Sequence, residues 1–370
     1  MKTKAAVMTE VGKPFELVEL ELDGPREGEV LVRYVAAGLC HSDLHLLKGD
    51  FPSRLPIIGG HEGAGVVEEV GPGVTKFQAG DHILASFIPS CGNCRYCHTG
   101  RQNQCDLGAN LLDGQLPDGT FRFHLGSEDV GGMCSVGTFS QYATVSQHSL
   151  VKIDEWLPLE KAVLVSCGVP TGWGTAVNGG NIRPGDTTVI YGAGGVGMNA
   201  VQAAVQCGAK NVVVVDPQQL KRETALKFGA THVFADAGQA HESVVELTRG
   251  QGADQALVIV GNLTEQVVLA AFHVVGKGGT IVVTGMGDFE ELSVQIPGVQ
   301  LALWEKTIKG SLFGSFNPQY DIPRLLGLYQ SGHLKLDELI TREYTLEQVN
   351  EGYRDLVAGQ LIRGVVVLEH

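Results

Sequence analysis

The stretch Thr187–Gly197, with the sequence TTVIYGAGGVG, decides the fold of this 370-residue chain. Its first half is an apolar run rich in β-branched residues, which predicts a buried strand over Thr187–Tyr191. The second half is a glycine-rich turn, and a helical pattern over Val196–Gly208 follows it directly. A strand, a glycine-rich turn and a helix in this order are typical of a dinucleotide-binding unit.

The glycines of this turn have different roles. Gly192 permits the tight turn, Gly194 lets the backbone approach a pyrophosphate, and Gly197 lets the helix pack against the strand. Gly195 and Val196 complete the turn, so we expect the phosphates to lie against the helix N-terminus.

An acidic residue follows the next predicted strand, Asn211–Val215. This residue, Asp216, stands where a carboxylate accepts hydrogen bonds from the adenosine ribose and repels a 2′-phosphate. The pattern therefore predicts NAD rather than NADP. The alternative is that Asp216 only caps the helix predicted over Pro217–Phe228.

Beyond this strand, glycine-rich turn and helix, strands and helices continue to alternate. Apolar strands are predicted over Ala256–Val260 and Thr280–Thr284, with a helix over Glu265–Val275 between them. This alternation predicts the α/β class with a doubly wound parallel sheet. Residues 1–160 instead hold short β-rich runs such as Glu29–Val35, separated by Gly-Pro pairs, which predicts an irregular, mostly β domain.

The C-terminal region returns to mixed structure. A strand over Thr307–Phe313 is followed by helices over Pro323–Ser331 and Leu346–Ala358, and then by a final strand over Gly364–Leu368.

Composition excludes several classes of function. Lys and Arg number 27 against 41 Asp and Glu, and the formal charge of −14 disfavours nucleic acid and anionic membranes as partners. No stretch approaches the ~18 apolar residues of a membrane span, and no secretory segment is visible. We therefore expect a cytoplasmic protein whose eight cysteines are ligands or nucleophiles rather than disulfides.

Four of these cysteines follow the spacing Cys91-x2-Cys94-x2-Cys97-x7-Cys105. Four thiolates within fifteen residues can surround one tetrahedral ion and leave no position for a substrate, which is typical of a structural zinc site. A disulfide-stapled loop conflicts with the expected compartment, and an iron–sulfur cluster usually has other spacings.

Three further candidates, Cys40, His61 and Cys167, lie far apart in the chain. A lone cysteine is usually a small apolar core residue, and a lone histidine is usually a satisfied polar one. Two thiolates and one imidazole are nevertheless a known ligand set for catalytic zinc. Spacing alone cannot bring the three together.

These motifs together resemble the zinc-containing medium-chain alcohol dehydrogenases over essentially the whole chain. The resemblance is carried by Gly60–Gly65 (GHEGAG), the four-cysteine segment, Asp118–Phe123 (DGTFRF), Gly137–Tyr142 (GTFSQY), Cys167–Gly168, the turn at Gly192 and Leu361–Arg363 (LIR).

The resemblance implies a GroES-like catalytic domain formed by residues 1–168 and 312–370, with a structural zinc lobe at residues 91–105. It implies a Rossmann domain over residues 169–311. It further implies NAD and two zinc ions per chain, one structural and one catalytic, the latter held by Cys40, His61 and Cys167.

Roles for other residues follow only from the resemblance. Asp43 would hold His61 by a hydrogen bond, and Glu62 would sit behind the catalytic zinc. Ser42 would contact the substrate oxygen, and His45 would be the outer histidine of a proton relay that ends in water. Cofactor contacts are implied at three more positions, with Lys221 beside the adenosine ribose and His41 and Arg363 on the pyrophosphate.

Within the family, the chain is most similar to the long subgroup and to bacterial nicotinoprotein alcohol dehydrogenases. The first prediction is hydride transfer between a primary alcohol, or its aldehyde, and NAD. A nicotinoprotein would instead keep NAD(H) bound and pass electrons to an external acceptor. The segment Thr307–Phe313 resembles the family's subunit-pairing edge, so a homodimer or homotetramer is expected.

Two other functions stay open. A thiol-dependent formaldehyde dehydrogenase is disfavoured because Gly108 replaces an arginine that anchors glutathione in that group, and because His45 stands where that group tends to have tyrosine. A non-enzymatic relative that keeps the fold is disfavoured because all three catalytic zinc ligands are present.

Overall fold

The computed structural model describes residues 1–370 and divides them into two compact units. The discontinuous unit comprises Met1–Cys167 and Asn317–His370, and the central unit comprises Gly168–Phe316. The predicted domain boundaries, after residues 168 and 311, lie close to these divisions and stay predictions.

The strands, in chain order, are β1 Lys2–Met8, β2 Glu16–Leu22, β3 Glu29–Gly38, β4 Ile57–Ile58, β5 Gly63–Val70, β6 His82–Ala85, β7 Phe123–Leu125, β8 Glu128–Gly132, β9 Tyr142–Ser146, β10 Leu150–Lys152, β11 Thr187–Tyr191, β12 Asn211–Val215, β13 His232–Phe234, β14 Ala253–Val258, β15 Val275–Val283, β16 Thr307–Gly310, β17 Ile340–Tyr344 and β18 Arg363–Val367. The α-helices are α1 His41–Lys48, α2 Arg95–His98, α3 Leu159–Ala162, α4 Gly168–Gly174, α5 Gly195–Gln206, α6 Gln219–Lys227, α7 Ala237–Leu247, α8 Glu265–Val274, α9 Gly298–Leu303, α10 Pro318–Gln330 and α11 Val349–Val357.

The central unit is built on one six-stranded parallel sheet with the order β13-β12-β11-β14-β15-β16. The order reverses beside β11, as in doubly wound dinucleotide-binding sheets, so the predicted α/β class is confirmed. Every residue of β11 and β12 is buried, as expected for parallel strands covered on both faces. The turn after β11 leads directly into α5.

The discontinuous unit is mostly β, as predicted. Strands β1, β2, β7, β8 and β4 close a small barrel, and a seven-stranded sheet runs in the order β10-β6-β5-β3-β18-β17, with β9 also on β3. In this sheet β3 pairs with β5 and β18, which places Ala37 opposite Gly63 and Gly38 opposite Val365. The chain segments that leave these strand ends therefore lie next to one another.

Several predicted elements need correction. The strand predicted over Thr307–Phe313 ends at Gly310, because Phe313 and Gly314 turn with φ values of 54° and 63°. The helix predicted to begin at Pro323 begins at Pro318, where the Asn317 side chain accepts a hydrogen bond from the Gln319 N–H. Helices α1 to α4, α7 and α9 were not predicted.

Candidate metal centres and dinucleotide site

A buried cluster in the discontinuous unit brings together Cys40, His61, Glu62 and Cys167, and one candidate ligand atom from each lies within 4.8 Å of the others. All four residues are buried, with exposures from 0% to 8%. Antiparallel pairing of β3 with β5 accounts for two positions, since Cys40 lies two residues after the end of β3 and His61 lies two residues before the start of β5. The structure thus supplies the convergence that spacing could not.

A carboxylate orients the imidazole of this cluster. Asp43 Oδ1 accepts a hydrogen bond of 2.7 Å from the Gly60 N–H, and Asp43 Oδ2 lies 3.3 Å from His61 Nδ1. Neither ring nitrogen of His61 has a hydrogen-bond partner. A buried imidazole with an unsatisfied nitrogen beside two thiols fits a metal ligand, because such nitrogens are otherwise hydrogen-bonded. With Asp43 at Nδ1, Nε2 is the nitrogen available to a metal.

Electrostatics of the cluster favour a cation. The hydrogen bond from Cys167 lowers the pKa of Cys40 well below its usual value. Burial acts to lower the pKa of His61, but the charges of Asp43 and Cys40 outweigh it and raise that pKa well above normal. The Cys40 thiolate thus favours a protonated, positively charged His61. A metal ion bound between the two can supply the positive charge in place of that proton. Two sulfurs and one nitrogen match the donors of a catalytic zinc site.

The acidic member of the cluster is already paired. Glu62 accepts a hydrogen bond from the guanidinium of Arg363, the first residue of β18. Burial raises the pKa of Glu62 to about 7, although the Arg363 charge opposes the rise. A Cβ at Gly38 would collide with both side chains, so glycine is required there for the pair to form. The predicted contact of Arg363 with a pyrophosphate stays a prediction.

Helix α1 begins immediately after Cys40 and carries the relay candidates. Ser42 Oγ lies 3.6 Å from Cys40 Sγ, beside the cluster. His41 is half-buried at the first position of the helix. His45 is buried, and its Nδ1 lies 2.6 Å from Asp50 Oδ2.

The four-cysteine lobe forms a second cluster, with Cys91 and Cys94 half-buried and Cys97 and Cys105 buried. The sulfurs of Cys91 and Cys97 lie 3.8 Å apart, and those of Cys94 and Cys105 lie 4.0 Å apart. Tetrahedral zinc with Zn–S bonds of about 2.3 Å requires sulfur separations of about 3.8 Å. All eight cysteines are free in the structure, and the spacing of the lobe sulfurs favours one shared ion over a disulfide.

Backbone amides support this lobe. The N–H groups of Asn93 and Cys94 donate to Cys91 Sγ at 3.3 Å, and the N–H of Cys97 donates to Cys94 Sγ at 3.5 Å. Such bonds stabilise thiolates, and the Asp106 amide, followed by the Cys97 amide, lowers the pKa of Cys94 to about 6. These amides favour the thiolate form at Cys94, whereas burial raises the pKa values of Cys97 and Cys105.

The glycine-rich turn of the central unit has the shape that a pyrophosphate requires. Gly192 has φ of 92°, and a Cβ there would lie 2.5 Å from the Ile259 carbonyl oxygen. A Cβ on Gly197 would collide with the Gly192 carbonyl, so close helix–strand packing needs glycine at that position. Gly194 faces open space, and no side chain caps the N-terminus of α5. That terminus can receive an anion.

Asp216 is tied to this turn. Its Oδ2 accepts a 2.8 Å hydrogen bond from the Ala193 N–H, and its Oδ1 accepts one of 2.9 Å from the Gln218 N–H. The second bond is a local turn but not a helix cap, because α6 begins at Gln219 with Gln218 as its N-cap and has no side-chain cap bond. A carboxylate keeps further lone pairs, so the ribose contact stays a prediction. Lys221 lies half-buried in the first turn of α6.

Comparison with known proteins defines the family. Residues 26–155 match the alcohol dehydrogenase GroES-like domain, and residues 195–331 match the zinc-binding dehydrogenase domain. An NDMA-dependent alcohol dehydrogenase of Amycolatopsis methanolica is 64% identical over 367 residues, with 99% of each chain covered. The chain belongs to the zinc-binding alcohol dehydrogenases.

Solved structures agree with this family. A benzyl alcohol dehydrogenase from Acinetobacter calcoaceticus matches with a TM-score of 0.92 and 31% identity, and all of both chains is covered. An alcohol dehydrogenase zinc-binding domain protein from Burkholderia ambifaria matches with a TM-score of 0.93 and 33% identity, also over all of both chains. The predicted combination of a GroES-like and a Rossmann fold in a zinc-dependent alcohol dehydrogenase is confirmed.

Two contacts beside the candidate sites were missed by sequence reasoning. Asp50 pairs with His45, and the Arg222 Nη1 donates to the carbonyl oxygens of Asp216 and Pro217 at 2.8 Å. The sequence Lys48-Gly49-Asp50 contains a usable signal, since glycine after a helix folds the next residue back onto it.

The structure contains no helix long and apolar enough to span a membrane.

Proposed function

We propose that the chain interconverts a primary alcohol and its aldehyde, with NAD as hydride carrier and a catalytic zinc ion held by Cys40, His61 and Cys167. The observation that carries the proposal is the buried cluster of two thiols and one imidazole, since such a donor set leaves zinc one open position. The lobe at residues 91–105 would hold the second zinc ion.

Each neighbouring residue then has a task. When bound, zinc supplies a Lewis acid that lowers the pKa of the alcohol, and NAD supplies the hydride acceptor. Asp43 Oδ2, 3.3 Å from His61 Nδ1, faces that nitrogen so that Nε2 is presented to the metal. Ser42, beside Cys40, orients the substrate hydroxyl and accepts its proton, and His45 is the outer acceptor of that proton.

Substitution of Ser42 by alanine tests the proposal. Turnover of alcohols is expected to fall by about 10²-fold or more, because one acid–base group is lost. Metal analysis is expected to show two zinc ions per chain, and the NAD content should match that of the unsubstituted protein. Ser149→Ala, a buried serine outside the cluster, is the control and should keep normal turnover. Unchanged turnover in Ser42→Ala would contradict the proposal.

A second candidate function has captive NAD(H) and an external electron acceptor. It is favoured by the 64% identity to the protein of Amycolatopsis methanolica that depends on NDMA. The purified protein would then show the absorbance band of reduced nicotinamide after addition of alcohol alone. It would also turn over alcohol with NDMA and no added NAD. Strict dependence on added NAD would exclude this candidate.

Substrate class is tested by a panel of alcohols. Assays of formaldehyde oxidation with and without glutathione separate an alcohol dehydrogenase from the thiol-dependent alternative, for which stimulation by glutathione is required. A protein that binds NAD and zinc but turns over no member of the panel would support the non-enzymatic alternative.

Assembly and location complete the proposal. Strand β16 is the edge of the six-stranded sheet, and Val299 and Leu303 on α9 are 72% and 76% exposed. An unpaired edge beside exposed apolar residues supports pairing of two copies through the central unit. Eight free cysteines support a reducing, cytoplasmic compartment. Light scattering of the purified protein measures the oligomeric state.

A further inference from the structure

His45, the proposed outer residue of the proton relay, is not exposed at the surface. The His45 side chain is 3% exposed, whereas that of Asp50, whose Oδ2 lies 2.6 Å from His45 Nδ1, is 23% exposed. The Phe51 ring packs at a tilt against the imidazole, with 5.8 Å between ring centroids. The ring is thus held between a carboxylate and an aromatic side chain.

The end of helix α1 builds this pair. Gly49 adopts the left-handed conformation with φ of 79°, and its N–H donates to the Leu46 carbonyl at 3.0 Å. The Asp50 N–H donates to the His45 carbonyl, also at 3.0 Å. These two bonds form a Schellman motif, which folds the residue after the glycine back onto the last turn of the helix. That place usually holds an apolar contact, but here it holds a carboxylate.

The chemistry of the pair fixes the state of the ring. A carboxylate only accepts hydrogen bonds, so Nδ1 of His45 must be the donor. In the neutral ring Nε2 then carries the lone pair and is the atom able to take a proton. Once Nε2 is protonated, the carboxylate at 2.6 Å stabilises the imidazolium charge through a charge-assisted hydrogen bond.

We infer that Asp50 is a positioning residue that sets the tautomer of His45 and stabilises its protonated form. The inference rests on the proposed function, in which His45 accepts the alcohol proton. Asp50 does not touch the substrate, and its effect passes through the imidazole alone.

Nitrogen-15 NMR of the histidine rings tests the tautomer without any reaction. The chain has 12 histidines, and the His45 signals are those that vanish in His45→Gln. The ring is expected to be protonated at Nδ1 in the unsubstituted protein and in Asp50→Glu. In Asp50→Leu we expect the proton to redistribute between the two nitrogens. An unchanged tautomer in Asp50→Leu would overturn the inference.

Kinetics supply the second readout. Since a positioned acid–base group contributes about 10²–10⁴-fold, Asp50→Leu should lower kcat by roughly 10-fold or more. Asp50→Glu should retain most of the kcat of the unsubstituted protein. Lys48→Gln, an exposed substitution on the same helix, should leave kcat unchanged.

A double-mutant cycle separates this role from a structural one. In the His45→Gln background, Asp50→Leu is expected to cause no additional loss, because its only route of action is gone. An equal loss in both backgrounds would overturn the inference and leave the relay intact. If His45→Gln alone leaves turnover unchanged, the relay of the proposed function fails, and the inference fails with it.

Discussion

The two cysteine clusters use the same kind of donor atom but are built in opposite ways. The lobe draws four thiols from the single segment 91–105, and two of them are half-exposed. The buried cluster collects Cys40, His61 and Cys167 from three distant segments, and each is at most 8% exposed. A local loop can form the first cluster, whereas only the complete sheet of the discontinuous unit can form the second.

The clusters also differ in their fourth group. In the lobe it is another thiol, which closes the coordination shell. In the buried cluster it is Glu62, whose carboxylate is engaged by Arg363. We therefore expect a saturated zinc ion in the lobe and one with an open position in the buried cluster. The comparison assigns stability to the first site and reactivity to the second.

The largest effect is expected from removing the imidazole of the buried cluster. His61→Ala should abolish alcohol turnover and lower the zinc content from two ions to one, because two thiols alone hold the metal poorly. The melting temperature should change little compared with a lobe substitution. His98→Ala, an exposed histidine in the lobe, is the control and should keep activity. Retention of two zinc ions and normal turnover would contradict the assignment.

Removing one thiol of the four-cysteine lobe should lower the stability of the fold. Cys97→Ser removes a buried thiol of the proposed lobe site, and because structural zinc contributes folding energy, the melting temperature should fall by several degrees or more. In the molecules that remain folded, the turnover per zinc ion bound at the buried cluster should be unchanged. Cys207→Ser, a half-buried thiol outside both clusters, should alter neither property. If Cys97→Ser lost catalysis at full stability, the roles of the two clusters would be reversed.

Asp43 sharpens the comparison, since the lobe has no equivalent carboxylate that orients a ligand. Asp43→Asn should lower activity or metal affinity at the buried cluster by about 10- to 100-fold, the usual effect of losing the carboxylate behind a metal-bound histidine. Zinc in the lobe should be unaffected. Asp81→Asn, which removes a buried carboxylate paired with Lys152, is the matched control. Equal losses in both variants would indicate a general structural effect.

The smallest effect concerns pH. Burial raises the pKa of Cys105 to about 12 in the metal-free lobe, so zinc must displace a proton from this thiol when it binds. Zinc affinity of the lobe should therefore fall as pH is lowered, by about tenfold per pH unit for each proton displaced. Titration of His61→Ala with a zinc-binding dye at several pH values reports the lobe alone. An affinity that did not change with pH would contradict this proton release.

Local patterns were predictable from the sequence. The strand β11, its glycine-rich turn and the start of α5 lie where the apolar run and the glycines placed them, since one βαβ unit is a short-range feature. The same holds for the lobe, whose ligands are neighbours in the chain.

Long-range features required more than spacing. Cys40, His61 and Cys167 were linked only through a family resemblance, because the pairing of β3 with β5 cannot be inferred from isolated residues. The Asp50–His45 contact was missed, because it depends on how one glycine ends a helix. The helix start at Pro318 was missed in favour of Pro323, since either proline can begin a helix.

The assignment of an open zinc site to the buried cluster is tested most directly by anomalous diffraction at the zinc edge from crystals of the protein. Two zinc peaks are expected. One should lie among the four lobe sulfurs, and the other should lie about 2.3 Å from the sulfurs of Cys40 and Cys167 and about 2.0–2.1 Å from a nitrogen of His61. A buried cluster without metal, or one in which Glu62 permanently fills the fourth position, would contradict this assignment.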